Sequence, residues 1–275
     1  MIGQTNLKAR LQELIDSKSY PRFSIFVGEK GSGRKTTILD KLKVLGDCQI
    51  CGVDVDSVRN VIEQAYTQVA PTVYIFADAD TMSIAAKNAM LKVTEEPPNN
   101  AYFVMTVTSI DGMLATIRSR AHTFYIDSYT EIELMSYCRQ TGVNVGECIS
   151  YCTVPGDIDL LTSYDISDFK EYVTKVVDNI DKVSGANSFK IGSKLNLAND
   201  ESKYDLNLFF KAFRSECFSR IWDEAQGRKY ALGVGITSNH QYELRIAGIN
   251  KQMLFDDWLL MIREAWFDYA SCETT

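Results

Sequence analysis

The chain has 275 residues, 45% hydrophobic and 24% charged, with a formal net charge of −7 at pH 7. That is ordinary globular composition, enough for one large domain or two to three small ones, and no run approaches the roughly 18 apolar residues of a membrane span. The acidic excess argues against a chain that grips duplex DNA alone across a broad basic face, because such affinity comes from neutralising phosphates with Lys and Arg. The N-terminal MIGQTNLKARLQEL is polar and amphipathic, unlike a signal peptide, and the seven cysteines follow no tight pairing pattern. A cytoplasmic protein with reduced thiols and no membrane partner is expected.

In chain order, Leu7, Leu11, Leu14 and Ile15 recur at helical spacing after a possible Thr5 or Asn6 cap, which predicts an amphipathic helix over 6–18. Phe23-Ser24-Ile25-Phe26-Val27 is short, aromatic and β-branched and runs into Gly28-Glu29-Lys30-Gly31-Ser32-Gly33, so a buried strand ends in a glycine loop. Thr36 to Leu45 returns to helical periodicity. Further strands are predicted at Thr72 to Phe76 and Tyr102 to Thr106, with a helix from Ser83 to Val93 between them, stopped by Glu95-Glu96-Pro97-Pro98. Strands alternating with helices imply an α/β fold with a mostly parallel sheet.

Beyond residue 128 the pattern becomes helical. Helices are predicted at Tyr129 to Gln140, near 145–152 and at Asp157 to Thr162, with Pro155-Gly156 as a break. The polar, Gly/Asn/Ser-rich stretch 185–203 reads as a loop or linker. The last 70 residues carry FFKAFRSECFSRIW and MLFDDWLLMIREAWFDYA, two strongly apolar helices. Trp258, Trp266, Phe267 and Tyr269 fall at helical spacing, which suits core or subunit interface. His122 and His240 have no partner at ligand spacing.

A working phosphate loop reads G-x-x-x-x-G-K-[ST]: backbone N–H groups cradle phosphates, the Lys reaches the β/γ oxygens and the hydroxyl holds Mg²⁺. Gly28, Gly31 and Gly33 fit that frame. Arg34 then stands where lysine belongs and Lys35 where the hydroxyl belongs, with Thr36 one residue late. A planar guanidinium does not replace an ammonium at a tight phosphate site, so a glycine-rich turn joining strand to helix is the simpler reading.

In phosphate-loop ATPases the second apolar strand ends in an Asp that positions Mg²⁺ and often a Glu that activates water. Here the segment is Phe76-Ala77-Asp78-Ala79-Asp80. In one register Ala77 replaces the metal-positioning Asp and Asp78 stands for the Glu; in the other Asp78 is the metal ligand and Ala79 stands in the Glu place. Either way one carboxylate is missing. The plainer alternative is that Asp78 and Asp80 cap the following helix.

From Asp80 to Phe124 the signal becomes more specific: Asp80-Thr81-Met82, Ala86-Lys87-Asn88-Ala89-Met90-Leu91-Lys92, Glu95-Glu96-Pro97-Pro98, then Thr116-Ile117-Arg118-Ser119-Arg120. In order and spacing this resembles the clamp-loader subunits of the AAA+ superfamily, and most of all the delta-prime branch of bacterial DNA polymerase III loaders. Two departures stand out. Ala121 replaces the usual Cys of the arginine motif, and only Cys48 and Cys51 remain where a zinc module would need four ligands.

The resemblance implies a P-loop-type AAA+ core over 1–127, a helical lid over 128–185 and a helical collar domain over 186–275. It implies a subunit that helps to load a sliding clamp on primer-template DNA with other loader subunits as partners. Arg120 would be an arginine finger donated to a neighbour's ATP site, with Arg118 its nearest rival. Relatives that use ATP carry a sensor arginine after the lid-helix glycine, whereas Gly156-Asp157-Ile158-Asp159 is acidic there. No cofactor is therefore expected, neither ATP bound in cis nor zinc. An active ATPase that tolerates Arg34 and Lys35, and a monomeric scaffold that kept only the fold, remain the alternatives.

Overall fold

The computed structural model describes residues 3–182, 191–197, 204–246 and 248–272, the last five by backbone alone. The chain divides into two compact units, Met1–Tyr129 and Thr130–Thr275.

The first unit is built on five strands: β1 (Phe23–Val27), β2 (Asp47–Cys51), β3 (Thr72–Phe76), β4 (Ala101–Val107) and β5 (His122–Tyr125). They lie in the order β2-β3-β4-β1-β5, with every pairing parallel. Parallel sheets are covered on both faces, so their inner strands read as unbroken apolar runs, and all five residues of both β1 and β3 are buried. Ile25, Tyr74, Phe76, Phe103 and Met105 fill one face beneath α3 (Val55–Thr67), α4 (Ile84–Ala89) and α5 (Leu91–Glu95). Phe26, Val73, Ile75 and Val104 fill the other, beneath α1 (Thr5–Asp16) and α2 (Arg34–Leu42).

Several boundaries differ from expectation. Neither Thr5 nor Asn6 caps α1: Gln4 precedes the helix in a left-handed conformation. Its side-chain amide is committed elsewhere, donating to the Asp127 carbonyl at 2.7 Å and accepting the Asp127 N–H at 2.9 Å. Helix α2 starts at Arg34, two residues early, because the glycine loop hands directly into it. The helix expected over Ser83 to Val93 is two pieces that meet at the fully buried Met90, whose N–H is shared between the Ala86 and Lys87 carbonyls.

The second unit opens with α7 (Glu131–Thr141), whose start is a capping box between Thr130 and Glu133 and whose end is Gly142 in the left-handed region. A 3₁₀ turn follows at Gly146–Tyr151. Pro155-Gly156 does not break the chain. It forms the first turn of α8 (Pro155–Leu161), where a proline costs nothing because its missing N–H would have had no helical partner.

Next come α9 (Ile166–Asn179), α10 (Leu206–Ser219), α11 (Gly227–Glu243) and α12 (Lys251–Cys272). Most of the linker read at 185–203 lies outside the described residues. The described piece buries Ile191 and Leu195, and the Tyr172 hydroxyl donates to the Ile191 carbonyl at 2.6 Å. Trp258 and Trp266 are fully buried, with Phe213 edge-on to Trp258 at 4.9 Å, so these two tryptophans are core. Phe267 is 69% exposed, and the side chain of Tyr269 lies outside the described residues. A β-carbon at Gly233 would come within 3.0 Å of the Trp266 ring, which keeps α11 close to α12. Among the described residues no helix is long and apolar enough to cross a membrane.

Candidate functional site

The glycine loop leaves the carboxyl end of β1 between β4 and β5, where open parallel sheets place their ligands. The Gly28 N–H donates to the Val107 carbonyl at the end of β4, 3.1 Å away. A β-carbon on Gly28 would lie 2.9 Å from the Ser32 hydroxyl and 3.0 Å from Ile126 Cβ, so a larger residue would have to displace both. Gly31 and Gly33 have φ of 83° and 80°, the left-handed region that glycine enters without strain. The Tyr129 hydroxyl pins the loop by donating to the Ser32 carbonyl at 2.8 Å.

The two cations after the loop part company. Arg34 is 6% exposed, whereas Lys35 and Thr36 both lie on the exposed side of the first turn of α2. The Arg34 guanidinium turns to the end of β3, where Nη2 meets a carboxylate oxygen of Asp78 at 2.8 Å. Nη1 of Arg34 and the hydroxyl of Ser32 are buried without a hydrogen-bond partner among the described residues. Asp78 is held in place by its backbone, with φ 52° and its N–H donating to Thr106 Oγ1 at 2.9 Å.

Neither acid of this segment caps the next helix, contrary to the plainer expectation. Asp80 accepts the Thr108 N–H at 2.8 Å, tying β3 to β4, while Ser83 caps α4 by accepting the Ala86 N–H. Lys87 is buried and donates to the carbonyls of Asp80 and Gly112 at 3.0 and 2.8 Å.

Arg120 lies near the amino end of β5, whereas Arg118 reaches back to Asp111, which follows the carboxyl end of β4. Both arginines follow from α6 (Ala115–Arg118), which leads into the amino end of β5, and His122 is level with Ser24 in β1. Gly28 lies four residues further along that parallel direction, about 13 Å at strand rise. The structure thus joins Arg34 with Asp78 and pairs each motif arginine with a different carboxylate. Arg120 Nη1 donates to the Thr116 carbonyl at 2.9 Å and Nη2 meets Glu95 at 3.0 Å. Arg118 pairs with Asp111 at 3.2 Å.

Asp157 and Asp159 of α8 are structural in their contacts. Asp157, 6% exposed, accepts the N–H groups of Thr153 and Val154 and the ammonium of Lys211. Asp159 accepts the hydroxyl of Tyr137, which burial and this carboxylate push up to about 12. Cys48 and Cys51 sit on edge strand β2, and burial pushes the Cys51 thiol up to about 11. Among the described residues no three His, Cys, Asp or Glu side chains group as a metal site. His240 does have a partner, Asp257 at 3.0 Å.

Residues 14–130 match the family described as DNA polymerase III, delta subunit. The delta-prime subunit of Yersinia pestis is 35% identical over 77 residues, which covers 27% of this chain and 23% of that protein. The gamma/tau subunit of Mycobacterium bovis is 25% identical over 187 residues, covering 54% of this chain and 32% of that protein. Over residues 14–130 the chain is clamp-loader-like, of the delta-prime kind. The chain spans less than a third of the length of these curated relatives. A solved structure of a gamma-subunit-related protein from Thermotoga maritima covers 93% of this chain and 99% of its own, with 15% identity and a TM-score of 0.48.

Within this unit, residue spacing alone singles out none of Thr106, Asp111 and Tyr129 and gives Glu95 no partner. Glu95 stands in a motif and a helix stop, neither of which points to Arg120; Thr106 and Tyr129 have partners 28 and 97 residues away, and Asp111 meets Arg118, seven residues on.

Proposed function

We propose that this chain is a delta-prime-type clamp-loader subunit that helps to load a sliding clamp on primer-template DNA, hydrolyses no ATP itself, and lends Arg120 to the ATP site of a neighbouring subunit. In this reading residues 128–185 are the lid, 186–275 the collar, the partners are other loader subunits, and the setting is the cytoplasm. The observation that carries it is the Arg34–Asp78 ion pair. The side chain at the phosphate-lysine position and a carboxylate of the acidic strand neutralise each other instead.

The residues present do not fit a magnesium-bound nucleoside triphosphate. Phosphoryl transfer is catalysed by positioning and by positive charge set around the γ-phosphoryl group. Here Lys35 stands exposed where the magnesium hydroxyl belongs, Ala77 offers no ligand, and Asp157 is consumed by the lid's own backbone and Lys211.

Arg120 suits a role in trans. A guanidinium delivered by a neighbour stabilises charge on the γ-phosphoryl without its own subunit binding nucleotide. Its position on the sheet edge away from the glycine loop supports service to another chain. For the collar, Met253, Leu260 and Phe267 recur every seventh residue on α12 and are 68%, 58% and 69% exposed, a spacing suited to helix-to-helix seams.

The test is ATP turnover by the purified chain and by the loader assembled with its partner subunits. We expect none from the chain alone, co-elution with the other subunits, and loss of assembled turnover on Arg120→Ala. Turnover by the isolated chain that vanishes on Lys35→Ala overturns the reading in favour of an active ATPase. Failure to co-elute favours the scaffold.

A further inference from the structure

We infer that Glu95 is the positioning residue for Arg120, holding its guanidinium in the orientation that a neighbour's phosphate meets. This rests on the reading of Arg120 given above. Three observations support it.

The guanidinium is held at two points. Nη1 donates to the Thr116 carbonyl within its own turn, and Nη2 meets the Glu95 carboxylate at 3.0 Å. Two fixed acceptors on a planar fork define its plane, whereas one would leave it free to rotate. Arg120 remains 38% exposed, so its outer edge stays available.

The support under Glu95 is itself rigid. Glu95 is the last residue of α5, and Pro97-Pro98 prevents that helix from continuing. The Tyr66 hydroxyl of α3 donates to the Glu96 carbonyl at 3.0 Å, and Lys92 lies 4.7 Å from the centre of the Tyr66 ring. Lys92 is thereby drawn to Tyr66, and Glu95 pairs with Arg120.

Helix stability does not explain the acid. A carboxylate in the last turn faces the negative end of the peptide dipoles, where a cation is favoured. The neighbouring motif arginine has a different anchor, Asp111, so each guanidinium has its own carboxylate.

The experiment measures ATP turnover of the assembled loader for Glu95→Ala, Glu95→Gln, Arg120→Ala and the Glu95→Ala/Arg120→Ala double variant. Misplacing a catalytic group by an ångström costs ten- to a hundredfold in rate, so Glu95→Ala is expected to lower kcat about tenfold with KM for ATP unchanged. Glu95→Gln, which keeps an acceptor oxygen without the charge, should recover part of that loss. The double variant should be no slower than Arg120→Ala. Unchanged kcat for Glu95→Ala beside a dead Arg120→Ala overturns the positioning role and leaves the finger standing. Full turnover by Arg120→Ala overturns both. A further loss in the double variant shows that Glu95 acts elsewhere, and also overturns the inference.

Discussion

The Arg34 guanidinium, 6% exposed, lies 2.8 Å from the carboxylate of Asp78, which stands on a backbone with φ 52°. Asn tolerates the left-handed region as Asp does, so Asp78→Asn removes charge without backbone strain. It leaves a buried guanidinium without its counter-ion. The pair is half open to solvent, so the expected loss is about 1–2 kcal/mol, below the cost for a fully buried pair. Urea unfolding of the two proteins measures it, and equal midpoints would show that the pair holds nothing.

A cis site closed by its own side chains should not respond to nucleotide. A ligand at a hundred times its Kd stabilises the state it binds by about 2.7 kcal/mol, a shift of several degrees in Tm. The melting temperature of this chain is expected to be the same with and without millimolar ATP and Mg²⁺. A rise that disappears on Arg34→Ala would place nucleotide in the loop.

Lys211 and Asp157 form the other pair of consequence, with side chains only 1% and 8% exposed. Removing one partner of a buried pair leaves a charge without compensation, so Lys211→Ala should cost about 3 kcal/mol. Arg120→Ala and Glu95→Gln touch only an exposed pair and should stay within about 0.5 kcal/mol of the parent. Thermal or chemical unfolding tests both. If Arg120→Ala unfolded the chain, its effect on turnover would say nothing about catalysis.

The thiols provide a check on burial. Cys51, Cys148, Cys152 and Cys217 are buried, and burial pushes Cys51 and Cys217 up to about 11 and about 12. Since the thiolate is the nucleophile, a raised value keeps them as unreactive thiols at pH 8. Among the described cysteines, iodoacetamide should modify Cys48 and Cys138 first, both half-buried, and the others only with denaturant. Mass spectrometry of the native protein reads the order directly, and fast labelling of Cys217 would contradict the packing of α10.

The sequence showed what local chemistry determines. β1 and β3 are buried along their whole length and apolar but for Ser24 and Thr72, because both faces are covered, and such runs are hard to mistake. β2 and β5 lie at the sheet edges and carry exposed Asp47, Gln49, His122 and Tyr125, so neither reads as a strand from its residues. Helix α11 contains Gly233 and Gly235, residues that disfavour helix, and a β-carbon at Gly233 would crowd the Trp266 ring, a packing demand that local sequence does not display. The departures at Arg34 and Lys35 are visible by position alone, and so is a missing carboxylate, at Ala77 or Ala79 according to the register. That Arg34 would find Asp78, forty-four residues on, is not, because the contact depends on β3 and the loop ending at the same edge of the sheet.

The paired hydrogen bonds between the Gln4 amide and the backbone of Asp127 act as a clasp. They join points 123 residues apart, so the α/β unit is nearly a closed ring of chain. A permuted version could start in one of the surface turns with positions 4 and 127 bridged by a short linker, and should keep its sheet order. Mechanical load applied through those two positions would fall on the clasp before it reached any strand.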